Sequence, residues 1–307
     1  MKKITLTLFI VLIAGNLSAQ NQNYHASGLA FLQVNPDSRL TALGGAGVGL
    51  SAANGHTGPG NFLINPAVYQ ESIRSTVQAG HSFWLADAGI EFLGVVFPVG
   101  SWNTGISMTS ANIDGFELRD HRATDEPLGE FGAHYLRAGL HASTILTPEL
   151  SVGARMDFLY EKIYYEMASG GSISLGAQYR LSDDLTLGAT INHLGVMSEL
   201  RSESTPLPTS ARIGVGITSE IPEVNIDYNI LVDGGTYLGD YFFVVGGYEL
   251  WYRDLLALRG GVQFLPSGFT PSLGAGIRWG NLSFDYGILL PEHQMGTPHQ
   301  LSLHLRL

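Results

Sequence analysis

Apolar residues alternate strictly with polar residues through segment after segment of this chain. The carboxyl-terminal end shows the pattern most plainly, with Leu301, Leu303, Leu305 and Leu307 alternating with Gln300, Ser302, His304 and Arg306. Successive side chains of a β-strand point to opposite faces of its sheet, so this period predicts strands with one apolar face and one polar face. After the first twenty residues, no stretch has the period of an amphipathic helix. The pattern therefore favours an all-β fold.

The composition of the polar face separates a membrane barrel from a water-soluble sandwich. Glycine, serine and threonine dominate that face, the chain contains 39 glycines, and only 14% of its residues are charged. A solvated sheet face would carry more lysine and glutamate. A strand in lipid cannot leave its backbone N–H and C=O groups unpaired, so a sheet that spans a bilayer must close on itself. We predict a transmembrane antiparallel β-barrel.

The alternating segments predict about fourteen strands. They fall near residues 74–84, 88–98, 102–114, 130–146, 149–160, 172–181, 184–194, 208–219, 223–232, 240–251, 255–265, 271–279, 281–290 and 299–307. Most have the length of roughly 9–12 residues that a tilted strand needs to cross the hydrocarbon. An even count is the rule for single-chain bacterial barrels.

Short and long connections alternate along the chain. The short ones lie near residues 99–101, 147–148, 182–183, 220–222, 252–254 and 280, and the long ones at 115–129, 161–171, 195–207, 233–239 and 291–298. Outer-membrane barrels place short turns on the periplasmic side and longer loops outside the cell. The alternation therefore predicts an outer-membrane protein with its long loops at the cell surface, in contact with outer-membrane lipid.

The charged residues of the polar face predict a network inside the barrel. An arginine facing lipid at the bilayer midplane would cost about 2–4 kcal/mol, so the polar face must line the lumen. We predict a lumen charge network of Arg155, Asp157, Arg212, Asp227, Arg259, Arg278 and Asp285. Arg180 and Arg306 lie on the same face, and the three aspartates are the expected partners of the arginines.

The first nineteen residues have the features of a signal peptide. Lys2 and Lys3 precede an apolar run from Ile4 to Ala14, and the small residue Ala19 comes before Gln20. A basic segment, a short apolar segment and a small residue at the cleavage site are the three parts of a secretory signal. The apolar run is too short for a transmembrane helix. We predict cleavage after Ala19 and export to the outer membrane.

Residues 20–72 do not alternate cleanly and are rich in glycine. The cluster comprises Gly44, Gly45, Gly47, Gly49, Gly55, Gly58 and Gly60. It contains neither a G-x-x-x-x-G-K-[ST] motif nor a G-x-G-x-x-G motif, so a nucleotide site is not indicated. Glycine lets a backbone fold tightly in a confined space. We predict that residues 20–72 form a plug inside the lumen and that residues 73–307 form the barrel.

Several classes of function are disfavoured by composition and motif content. The formal charge of −11 is wrong for a nucleic-acid partner, because phosphate binding needs a basic surface. The chain has no cysteine, and its ten histidines form no H-E-x-x-H or similar metal-binding spacing. A G-x-S-x-G nucleophile motif is also missing from the sequence. We predict no catalytic residue, no metal and no cofactor, and hence a protein that is not an enzyme.

Ordered motifs along the chain carry a resemblance to a known family. The motifs are Phe31–Val34, Asp37–Arg39, Leu43–Val48, Asn65-Pro66-Ala67, Leu207–Gly214, Tyr248–Tyr252, Leu256–Gly261, Phe284–Gly287 and His299–Leu303. In this order they resemble the PorV/PorQ family of outer-membrane proteins, which belongs to the FadL-like barrels. The resemblance implies a fourteen-stranded barrel whose plug contains the turn formed by Asn65, Pro66 and Ala67.

The resemblance implies two different functions. Some PorV/PorQ proteins serve the type IX secretion system of the Bacteroidetes, where they engage the secretion translocon or the signal domains of secreted cargo. On that basis we expect a component of protein secretion or surface attachment that binds protein partners through its outer loops, especially 115–129 and 195–207. FadL relatives instead pass hydrophobic small molecules, which would place a hydrophobic ligand or lipid in the lumen. A scaffold with neither activity is the third alternative.

Overall fold

The computed structural model describes residues 28–51, 58–68, 74–120, 125–238, 240–292 and 296–307. The predicted signal peptide, residues 1–19, lies outside the described residues, as do residues 20–27 and Gly55 of the predicted plug. Within the described ranges, no helix combines the length and the apolar character needed to cross a membrane.

Fourteen strands form a closed barrel. They are β1 Thr76–Phe83, β2 Gly89–Val99, β3 Trp102–Leu118, β4 Gly129–Thr147, β5 Leu150–Ile163, β6 Glu166–Arg180, β7 Leu185–Met197, β10 Ser210–Ile221, β11 Ile226–Tyr237, β12 Phe242–Tyr252, β13 Leu256–Leu265, β14 Gly268–Trp279, β15 Leu282–Leu289 and β16 His299–Arg306. The two remaining strands, β8 (Glu199–Leu200) and β9 (Glu203–Ser204), form a small hairpin between β7 and β10.

Each barrel strand pairs antiparallel with its neighbour along the chain, and the first strand pairs with the last. The closing pair β1–β16 runs in register from Thr76 opposite Arg306 to Phe83 opposite His299. Closure leaves no free sheet edge, so the backbone groups of the wall satisfy one another. The predicted all-β, antiparallel transmembrane barrel of about fourteen strands is confirmed.

The distribution of side chains is the reverse of that in a water-soluble protein. Large apolar side chains point outward and are exposed, among them Leu93, Ile106, Leu140, Met156, Leu175, Leu187, Ile213, Leu258, Leu273, Ile277 and Leu303. Polar side chains are buried inside, among them Gln78, Ser107, Arg155, Ser174, Gln178, Asn229, Glu249, Arg259 and Gln300. An apolar belt of this kind is the surface that an outer-membrane barrel presents to lipid.

Placing an arginine on the apolar belt should destabilise the barrel in a bilayer. Leu140 lies near the middle of β4 and is 57% exposed, so Leu140→Arg should lower the free energy of unfolding by about 2–4 kcal/mol. Denaturant titration of the protein folded into lipid vesicles measures this change. Leu128→Arg is the matched control, because Leu128 is 60% exposed but precedes β4. Equal unfolding free energies for the two variants would show that the belt does not contact lipid.

The connections differ in length at the two ends of the barrel. We call the end that carries Thr76 and Arg306 the inner end, and the opposite end the outer end. Turns at the inner end are short, at residues 100–101, 148–149, 181–184, 222–225, 253–255 and 280–281. The outer end has the longest connections, at residues 119–128, 198–209 and 290–298. This polarity agrees with long loops outside the cell.

Two predicted long loops are wrong. Residues 161–171 were expected to form a loop, but β5 continues to Ile163, Tyr164 and Tyr165 make a tight turn, and β6 begins at Glu166. Residues 233–239 were expected to form another, but β11 continues to Tyr237. Both segments extend strands at the outer end, where pairing between neighbours no longer needs an aliphatic residue at every other position.

Candidate functional site

The described residues 28–51 and 58–68 lie inside the barrel against its wall, and we call them the plug. The plug contains two short helices, α1 (Ser38–Ala42) and α2 (Asn61–Ile64), and all residues of both helices are buried. Asp37 caps α1, because its Oδ1 accepts a hydrogen bond of 2.9 Å from the N–H of Arg39. Ser38 N donates to Ser302 Oγ of the wall at 3.0 Å. Helix α1 therefore lies directly against the inner face of the barrel.

Glycines of the wall allow the plug backbone to approach very closely. A Cβ atom at Gly188 would lie 2.0 Å from the carbonyl oxygen of Val48, and one at Gly153 would lie 2.2 Å from that of Pro66. Only a hydrogen atom fits in these spaces, so any side chain would displace the plug. Much of the glycine on the lumen face thus serves contact with the plug.

The turn formed by Asn65, Pro66 and Ala67 joins two parts of the plug. Asn65 is fully buried; its Nδ2 donates to the carbonyl oxygen of Val48 at 2.8 Å, and its Oδ1 accepts from the N–H of Ala67 at 2.9 Å. A Cβ atom at Gly176 of the wall would lie 2.0 Å from Asn65 Oδ1. The side chain of Asn65 therefore holds the two described plug segments together against β6.

A buried ion network anchors the plug near the inner end. Arg39 of the plug donates from Nε to Glu249 Oε1 at 2.8 Å and from Nη2 to Glu249 Oε2 at 2.6 Å. Arg259 donates from Nε to Glu249 Oε1 and from Nη1 to Asp285 Oδ1, both at 2.6 Å. Asn229 Nδ2 supplies a further hydrogen bond to Glu249 at 2.8 Å. The structure thus joins the predicted residues Arg259 and Asp285 to Arg39 and Glu249, which were not predicted.

A second group of wall charges binds the plug through its backbone. Arg155 Nε donates to both carboxylate oxygens of Asp157, at 3.1 and 2.9 Å, and its Nη1 donates to the carbonyl oxygens of Phe62 and Leu63 at 2.9 Å each. These carbonyls belong to α2. The predicted pair Arg155 and Asp157 therefore connects β5 to the plug.

Arg212 and Asp233 hold the glycine-rich part of the plug. Arg212 Nη2 donates to the carbonyl oxygen of Gly45 at 2.8 Å and lies 3.4 Å from Asp233 Oδ2. The same oxygen of Asp233 accepts from the N–H groups of Gly47 and Val48, at 2.8 and 3.0 Å. Asp233 was not predicted as a member of the network. It lies on the polar face of β11, opposite Gly214.

The other predicted charges lie closer to the inner end. Arg278 pairs with Asp254, and its guanidinium carbon lies 4.7 Å from the centre of the Trp251 ring. Asp227 is placed apart from the arginines, with Glu220 and Trp251 as its cross-strand neighbours. Within the described ranges Asp227 forms no ion pair.

The lumen wall is apolar in one region of its outer half. The plug residues Leu29, Phe31 and Leu32 are buried there against a group of inward-facing wall residues, namely Ile90, Ala111, Leu159, Ala168 and Met197. The ring of Phe31 stacks on that of Tyr135, with centroids 5.5 Å apart. We call the space enclosed by these five wall residues the outer apolar chamber. Its present occupant is the plug.

The described residues offer no site for a metal ion. In the part of the chain that the structure covers, no three histidine or acidic side chains lie close enough together to hold one. The wall instead offers hydrogen-bond donors, and those of Arg155 and Arg212 bind plug carbonyls. The site is thus a plugged lumen with an apolar region near its outer mouth.

Solved structures share this architecture, although no protein-family model and no curated protein matches the sequence. The toluene transporter TodX of Pseudomonas putida superposes with a TM-score of 0.61 at 13% identity, covering 87% of this chain and 95% of TodX. A FadL homologue of Pseudomonas aeruginosa superposes with a TM-score of 0.56 at 11% identity, covering 89% of this chain and 98% of that protein. The barrel has the FadL-type fold.

Another solved structure has a similar barrel. The outer-membrane protein Omp33 of Acinetobacter baumannii superposes with a TM-score of 0.50 at 11% identity, covering 76% of this chain and 98% of Omp33. These neighbours share the barrel fold, and one of them is a toluene transporter. The outward apolar belt of this barrel and the longer connections at one end are features of an outer-membrane barrel.

Proposed function

We propose that this FadL-type barrel is a channel for small hydrophobic solutes, gated by its plug. The observation that carries the proposal is the outer apolar chamber. In a lumen lined mainly by polar groups, Ile90, Leu159 and Met197 form an apolar surface that Leu29, Phe31 and Leu32 occupy. An apolar solute that replaced these plug side chains would keep the same surface away from water. The structural similarity to a toluene transporter supports this function.

Passage of a solute requires the plug to move. A cavity of about 60 Å³ lies beside the chamber, between Leu32, Val34 and the wall. It is smaller than the cavity of roughly 150 Å³ that accommodates benzene in a protein interior. The plug side chains occupy the chamber itself, so plug residues 29–34 are the segment whose displacement would admit a solute.

Uptake of labelled toluene tests the channel proposal. Cells that lack the protein should take up toluene more slowly, and expression of the protein should restore the rate. Ala111→Trp should fill the chamber and block the recovery, because Ala111 is buried against the plug. Met108→Trp on the same strand is the control, since Met108 is exposed on the lipid face. Recovery by the Ala111→Trp variant, or equal uptake without the protein, would argue against the channel.

The second candidate function is protein secretion or surface attachment. The residue-level resemblance to PorV/PorQ proteins supports it, together with the long connections 119–128 and 198–209 at the outer end. These two connections would bind a secretion translocon or the signal domain of a cargo protein. Deletion of the protein should then leave cargo in the periplasm. Normal surface display of cargo in the deletion strain would remove this candidate.

A further inference from the structure

Two arginines beside the outer apolar chamber, the buried Arg137 and the half-buried Arg212, have unused hydrogen-bond donors. Arg137 is 2% exposed; its Nη2 donates to Thr109 Oγ1 at 2.7 Å, whereas its Nε has no partner within the described residues. Arg212 Nε likewise has no partner there. Burying a charged group without its hydrogen bonds is costly, so such a group needs an explanation, and a bound water or ion is one.

Both arginines line the same cavity. This cavity of about 60 Å³ lies between the plug and the wall, and its polar lining includes Arg137, Arg212, His193, Asn192 and Ser210. His193 Nδ1 is a further buried nitrogen without a partner in the described structure. One water molecule needs roughly 10–15 Å³ of cavity volume measured in this way. The space therefore accommodates a group of a few non-hydrogen atoms. It is too small for a long hydrocarbon chain.

The nearby carboxylates are engaged elsewhere. Asp157 accepts both its short hydrogen bonds from Arg155, and Asp233 accepts from the N–H groups of Gly47 and Val48. Within the described ranges Arg137 has no ion-pair partner, and Arg212 reaches Asp233 only at 3.4 Å. Three arginines, Arg137, Arg155 and Arg212, thus share the two carboxylates of Asp157 and Asp233, which leaves one positive charge in excess beside the cavity.

We propose that this cavity is a binding site for a small carboxylate anion of the size of acetate. A guanidinium group presents its donors in a planar fork that matches the two oxygens of a carboxylate. The anion would contact Arg137 and Arg212 from the wall, while Leu32, Val34 and Gly45 enclose it from the plug. Bound there, it would join the plug to β4 and β10. This site goes beyond the proposed channel and does not depend on which solute the channel carries.

Calorimetric titration of the purified full-length protein in a nonionic detergent tests the site. Sodium acetate, titrated at constant ionic strength against sodium chloride, should bind one equivalent per barrel. Arg137→Gln and Arg212→Gln should each weaken binding by about tenfold to a hundredfold, the loss expected for a hydrogen bond to a charged group. Arg253→Gln should bind acetate as the unchanged protein does, because Arg253 is exposed and lies in an inner-end turn.

Two further measurements keep the outcome decisive. If Arg137→Gln does not fold, as judged by the heat-modifiable mobility of the barrel, Arg137→Lys keeps the charge without the fork and should still weaken binding. Sodium decanoate should bind no more tightly than acetate. Binding of decanoate alone, equal binding by all variants, or no binding of acetate would overturn the proposal. None of these results depends on toluene uptake, so the site and the channel are tested separately.

Discussion

Replacing Gly188 with leucine should displace the plug while leaving all fourteen strands of the barrel paired. A Cβ atom at this position would lie 2.0 Å from the carbonyl oxygen of Val48 and 2.6 Å from its carbonyl carbon. Both atoms belong to backbone, so no side-chain rotation can relieve the contact. Extra methylene groups in a well-packed core lower the free energy of unfolding by about 1–3 kcal/mol. The contact at Gly188 is closer than such overpacking, so we expect a larger effect. Gly188 itself lies within β7, where a leucine is compatible with strand geometry.

Conductance in planar lipid bilayers measures the displacement. The Gly188→Leu barrel should pass ions steadily, whereas the unchanged protein should remain closed. Limited proteolysis should cleave the plug of the variant first and leave the barrel strands intact. Gly234→Leu in β11 is the control, because a Cβ atom there would have no neighbour within 4 Å. A silent Gly188→Leu barrel with a protease-resistant plug would show that the plug is not seated against β7.

The strands could be predicted from sequence because lipid imposes a simple rule on them. Every residue that faces hydrocarbon must be apolar, so the period of two survives along most strands and identifies both faces. The rule weakens where a strand extends past the lipid. β6 begins at Glu166 and not near residue 172, and β3 continues to Leu118 and not 114, because their outer parts lack a regular aliphatic face.

The lumen charges could be predicted, but their partners could not. The cost of an arginine in lipid is enough to place Arg155 and Arg259 inside the barrel. Partner choice depends on the course of the plug through the lumen, which alternation does not describe. Glu249 lies between the large apolar residues Tyr248 and Leu250, and its contact with Arg39 joins positions 210 residues apart.

The outer apolar chamber was not predicted either, although the sequence contains an indication of it. Leu159 lies between Phe158 and Tyr160, so it occupies the face of β5 that otherwise carries Asp157 and Glu161. An apolar residue on the polar face of a lipid-spanning strand must meet something apolar inside the lumen. Here Leu159 is fully buried among Phe31, Leu32 and their neighbours.

Removing Glu249 should loosen the plug from the inner half of the barrel. Glu249 is fully buried and is the shared partner of Arg39 and Arg259, so Glu249→Ala removes a carboxylate from two guanidinium groups inside the lumen. Breaking a buried pair from one side costs about 3–5 kcal/mol. Hydrogen exchange of the α1 amides should accelerate accordingly. Glu91→Ala is the control, because Glu91 forms an exposed pair with His81 and such pairs contribute about 0–1 kcal/mol.

A double variant distinguishes plug anchoring from support of the wall. Arg259 retains Asp285 when Glu249 is lost, whereas Arg39 loses the carboxylate that joins it to the wall. Adding Arg39→Met to Glu249→Ala removes that buried charge and should restore much of the α1 protection against exchange. The coupling free energy between Arg39 and Glu249, measured by comparing the double variant with the two single variants, should then be larger than that of an exposed pair. If the two effects simply add, Glu249 acts on the wall through Arg259, and the plug is held by its other contacts, among them those with Arg155, Arg212 and Asp233.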